Sequence, residues 1–139
     1  MSEYVNAVKI SDMITMFASL LHERRIVVTS SRLQRLTACV QAINLLLYPM
    51  SWQHIFIPLL PKHMIEYLTA PMPFLIGVPS PIMERVRKDE LGDAVVLDAD
   101  KGTVYTPFLE DVANLPHEVR ETLQKGLKSK NLLGDTVAR

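Results

Sequence analysis

The stretch VVLDADKGT, residues 95–103, holds the side chains best placed in the sequence to do covalent chemistry. An apolar run ending in Asp98-x-Asp100 and then Gly-Thr can offer one carboxylate as a phosphoryl acceptor. The second then acts as general acid and base, with Mg²⁺ neutralising charge. On that reading Asp98 and Asp100 belong to a metal-dependent phosphatase. The same letters also make a hairpin turn, because Asp and Gly suit its backbone. Lys101 interrupts the Asp–Gly step and the motif arrives late in the sequence, which favours the turn. A calcium loop fails outright, since Leu109 stands where the twelfth-position Glu should be.

Other chemistry is thinner. No glycine-rich phosphate loop occurs, and without clustered glycines a backbone cannot closely approach a pyrophosphate. His63 and Glu66 have the i, i+3 spacing of metal ligands but form at most half a site. The single cysteine, Cys39, lies among apolar residues and has no zinc-type spacing. Thr29 to Ser31 put hydroxyls at the start of a helix, where an anion would be welcome, yet Ser30 or Ser31 as a helix cap explains them as well. The expectation is no cofactor, no metal, and a binding module in place of an enzyme.

These residues must be positioned by an alternation of short strands and helices. Ser11 precedes apolar positions at Met13, Ile14, Met16, Phe17, Leu20 and Leu21, the period of an amphipathic helix with a serine cap. Ile26–Thr29 reads as a buried strand, and Leu33, Leu36, Val40, Ile43 and Leu47 mark a second helix, apolar almost all round in its later part and so expected to be sandwiched. HIFIP makes a second strand. PKHMIEYL reads as a helix with Pro61 first, and FLIGV as a third strand. PSPIMERVRK restarts a helix capped by Ser80, with Pro81 at its first position. AVVLDADKGTVYTP is a hairpin, and LPHEVRETLQKGLK a helix with Val119, Leu123 and Leu127 inward; KSKNLLGDTVAR reads as loose. The fold class is therefore α/β, a layered sandwich with a mainly parallel sheet flanked by helices, plus a hairpin and helix.

Composition agrees. The 139 residues fit one domain, 1–139, with a real core, and 48% of them are hydrophobic. Fifteen basic and fifteen acidic residues leave no net charge, which argues against nucleic acid as the main partner. No apolar run approaches the ~20 residues of a membrane span, and MSEYVNAVKI has no secretory pattern, so cytosol with at most peripheral membrane association is expected.

The ordered signature ASLLHERRIVVTSSRLQRL, then LLLYPMSWQHIFIPLLP, then APMPFLIGVPSPIMERVR and VVLDAD resembles the central part of a DENN domain, and most closely its connecdenn branch. The likeness runs from about Met13 to Leu127. It implies a guanine-nucleotide exchange factor for an endocytic-recycling Rab GTPase, at clathrin-coated vesicles and early or recycling endosomes. Such a factor binds no nucleotide itself and grips the switch regions of the nucleotide-free Rab. The resemblance also implies a C-terminal lobe whose N-terminal longin-like partner lobe is absent. Alone it would be weak or inactive, with an apolar seam open to self-association. The alternative is a non-catalytic GTPase- or adaptor-binding module.

For partner contact, Arg24 and Arg25 stand before the first strand, and Arg85, Arg87 and Lys88, with Glu84, on the helix after the third. MERVRK places Arg85 and Lys88 one helical step apart. Met50 and Trp52, in the connector YPMSWQH at the N-terminal edge of the sheet, are candidates for a protein-facing pair, although the favoured reading has Trp52 plugging the bottom of the core with His54 pointing outward.

Overall fold

The computed structural model describes residues 9–138, with side chains through Leu127. Five strands form one sheet in the order β2-β3-β1-β4-β5. Strand β1 (Arg25–Ser30) lies at the centre, parallel to β3 (Phe74–Pro79) on one side and to β4 (Val95–Asp98) on the other. Strand β2 (Ile55–Ile57) runs parallel to β3 at one edge. At the other edge β5 (Thr103–Tyr105) pairs antiparallel with β4 through the turn that Asp98 to Gly102 provide. Central strands covered on both faces need continuous apolar runs, which is what IVV and FLI supply.

Alternation along β1 sends Ile26 and Val28 to one face and Val27 to the other. The first face packs against helices α1 (Ile10–Leu21) and α2 (Leu33–Leu45) through Met16, Leu20, Leu36, Val40 and Ile43. The second is covered thinly, by a 3₁₀ helix (Lys62–Thr69) and two single-turn helices, α3 (Ser80–Met83) and α4 (Lys88–Leu91). A third apolar cluster joins Ile14 and Ala18 of α1 to Leu115 and Leu127, beside α5 (Glu110–Ala113) and within α6 (His117–Ala138). Gly77 is fixed by a close approach. A Cβ there would stand 2.2 Å from the Pro58 carbonyl oxygen, while Leu60 N–H donates to the Gly77 carbonyl at 2.8 Å.

Several local expectations are corrected. None of the expected serine caps forms: Lys9, Arg32 and Pro79 occupy the cap positions of α1, α2 and α3 without side-chain bonds. PKHMIEYL winds as 3₁₀ with Pro61 one place ahead of the helix and a kink at Met64. The helix expected from Ser80 to Lys88 breaks after one turn, because Arg87 takes extended backbone angles. Helix α2 buries one stripe and leaves Leu45 57% exposed, so it is not sandwiched. Val119 is 37% exposed, although Leu127 is buried as expected. The segment read as a loose end continues α6.

Candidate partner-binding surface

At the C-terminal edge of the parallel strands, the β4–β5 turn folds back onto the start of α2. Asp98 first builds the turn: its Oδ1 accepts from the backbone N–H of Asp100 and Lys101, each at 3.0 Å, and its carbonyl accepts from Gly102 N–H at 2.8 Å. Gly102 has φ +64°, a conformation that suits a residue without Cβ. The turn delivers the Asp100 carboxylate to Ser30 and Ser31. Ser30 Oγ donates at 2.6 Å, Ser31 N–H at 2.7 Å and Arg35 Nη1 at 3.1 Å. Partial burial pushes the Asp100 carboxyl up, but the donors from Ser30, Ser31 and Arg35 outweigh it and hold the group at about 2. The two carboxylates that suggested phosphoryl chemistry are thus tied into the turn and the α2 entry. Ser30 and Ser31 serve Asp100 instead of capping.

At the opposite edge the two adjacent arginines have different fates. Arg24 grips the Asp111 carboxylate with two parallel bonds, Nε to Oδ2 and Nη2 to Oδ1, both 2.9 Å. Its guanidinium also lies 3.6 Å from the Phe108 ring centroid. Asp111 is only 3% exposed, so this pair locks α5 against the α1–β1 turn. Bonding to Asp111 raises the Arg24 pKa, with burial opposing. Arg25 turns to the thinly covered face. Its Nη2 donates to the Leu68 carbonyl at 2.6 Å, and its guanidinium lies 5.1 Å from the Phe74 centroid. Burial lowers its pKa, partly offset by Asp93.

The connector separates its two conspicuous residues. Trp52 is half-buried against the α1–α2 core, and its Nε1 donates to the Ile55 carbonyl at 2.9 Å. Met50 is 63% exposed. His54 is half-buried just ahead of β2, edge-on to Trp52 at 4.9 Å, with Nε2 3.3 Å from Glu23 Oε2. Arg85, Arg87 and Lys88 are exposed, with Arg87 Nη2 3.2 Å from Asp89. The break at Arg87 removes the helical step between Arg85 and Lys88.

Cys39 is buried, and that burial pushes its thiol up to about 12, the state of an inert core residue. His63 and Glu66 are both exposed, and no cluster of metal-ligating side chains occurs among the described residues. Among the described residues, no helix is long and apolar enough to cross a membrane. Sequence reasoning missed Asp111 and Arg35. The sequence carried little signal for Asp111, because Glu110 stands beside it and nothing local shows which of the two acids turns inward to Arg24.

The fold defines an open-sheet α/β lobe whose polar groups chiefly brace the two edges of the sheet. Residues 1–102 match the model of the DENN (AEX-3) domain family. The whole chain is 49% identical over 140 residues to DENN domain-containing protein 1B of Mus musculus, covering 18% of that protein. It is 45% identical to DENN domain-containing protein 1A of Homo sapiens, again over the whole chain and 14% of the relative. DENN domain-containing protein 2B of Homo sapiens is 34% identical over 89% of this chain and 11% of its own length. This chain belongs to the DENN domain family, with the higher identities on the connecdenn side. It spans less than a fifth of the length of these relatives.

Proposed function

We propose that this chain is part of a DENN-type guanine-nucleotide exchange factor that promotes GDP release from an endocytic-recycling Rab GTPase. The supporting observation is the family match over residues 1–102, together with 49% identity to a DENN domain-containing protein across the whole chain. In this reading the lobe works with a longin-like lobe, peripherally at clathrin-coated vesicles and early or recycling endosomes. Exchange of this kind is differential binding. A surface that holds the nucleotide-free GTPase more tightly than the GDP-loaded one lowers the barrier to GDP release by the difference. A tenfold preference corresponds to about 1.4 kcal/mol.

The test is release of a fluorescent GDP analogue from a panel of recycling-pathway Rabs, with this chain alone and with the longin-like lobe of a connecdenn relative added. Acceleration only in the mixture identifies half of a two-lobe exchange factor. Binding that is equal with and without nucleotide, and no acceleration in either case, assigns a non-catalytic GTPase-binding module instead. Arg85→Glu/Arg87→Glu locates the contact. Loss of Rab association by the folded variant places it at the α3–α4 loop, and unchanged association removes that loop from the interface.

A further inference from the structure

Arg24 and Arg25 are adjacent, and only one has an acid. Arg24 is saturated by Asp111, whereas among the described residues no carboxylate comes within ion-pair distance of Arg25. Its one hydrogen bond goes to the neutral Leu68 carbonyl, its Nε is buried without a partner, and Asp93 acts on it only at longer range. Of its nitrogens only Nε is buried without a partner, so Nη1 reaches solvent and keeps its protons for an incoming acceptor. Nη1 makes no hydrogen bond among the described residues, and its neighbour is Gly92. A Cβ built on Gly92 would stand 3.4 Å from Nη1, an ordinary contact distance, which places that nitrogen against the Gly92 backbone. Tyr67, next to Leu68 in the chain, and Met72, two residues before Phe74, are exposed.

We infer that Arg25 is a carboxylate-binding anchor at the N-terminal edge of the sheet, which takes an Asp or Glu side chain from the partner GTPase at Nη1 between Gly92 and Leu68. The partner assignment rests on the exchange-factor reading above; the carboxylate chemistry does not. Charge complementarity selects the occupant: a planar guanidinium with free Nη protons suits an oxygen pair.

The first arm exchanges chloride for acetate at constant ionic strength and follows the arginine Nε–H and glycine amide resonances of the ¹⁵N-labelled chain. A saturable shift at Arg25 and Gly92, with Arg24 unmoved, is expected. Asp93→Asn, an exposed change that removes the competing negative charge, should tighten acetate about twofold. An Arg25 that does not respond, or responds no more than Arg24, overturns the inference. The second arm measures binding of a nucleotide-free Rab that associates with the wild-type chain. Arg25→Lys, which keeps the charge but loses the fork, should weaken it about tenfold, the scale of one charge-assisted bond. Unchanged affinity overturns the GTPase as the occupant. A positive acetate response with no Rab binding by the wild type refutes the exchange-factor reading while leaving the carboxylate site standing.

Discussion

Replacing Asp100 with Asn keeps the shape of the clasp between the β4–β5 turn and α2 while removing its charge. The wild-type carboxyl sits at about 2 against an ordinary value of 3.8. A difference of about 1.8 pH units, at 1.36 kcal/mol per unit, would be worth ~2.4 kcal/mol for a fully shielded group. Asp100 is exposed, so solvent screening cuts the effective contribution to ~1 kcal/mol. The sign follows from the depressed folded-state value. The contribution is complete above the unfolded carboxyl's range, near pH 4, and is lost as pH falls from about 4 through about 2. Urea titrations of both proteins should therefore differ by ~1 kcal/mol at pH 7 and at pH 5, with the gap closing below pH 4. Hydrogen exchange at the Ser31 amide should speed up about fivefold in Asp100→Asn at pH 7, because that N–H donates directly to the carboxylate. A stability gap that stays constant from pH 7 to pH 3 would refute the electrostatic reasoning, since shape alone would then account for the loss.

Gly77→Ala should destabilise by ~2–4 kcal/mol in urea, because a Cβ 2.2 Å from the Pro58 carbonyl oxygen and 2.9 Å from Val40 Cγ2 forces backbone to move. A loss under ~0.5 kcal/mol would mean that the Pro58–Leu60 crossing has room to yield. Arg24→Met should cost ~3 kcal/mol by stranding the buried Asp111 carboxylate. The double variant Arg24→Met/Asp111→Leu should lose less than the single one, and an equal or greater loss in the double would show that packing around Phe108, and not the stranded charge, carries the cost.

The sequence by itself determined the layered α/β plan, because uninterrupted apolar runs such as IVV and FLI suit only strands covered on both faces. It determined the hairpin too: Asp98 and Gly102 act within a few residues of one another, so local chemistry decides the turn. The family signature was equally legible as an ordered string. Whether a helix continues or stops was less legible where competing preferences are weak. Nothing in PSPIMERVRK announces that Arg87 leaves the helix, and Lys62–Thr69 has an apolar period that 3₁₀ and α geometries share over so short a span. Only the tertiary structure decided the use of the polar residues. Ser30, Ser31 and Asp100 are ~70 residues apart in the chain and meet because β1 and β4 are neighbours in the sheet. Arg24 finds Asp111 across 87 residues, while Arg25, one position along, points to the other face and has no carboxylate within ion-pair distance among the described residues. Two identical neighbouring side chains differ because successive residues entering a strand project to opposite faces, and what waits on each face is set by the whole fold.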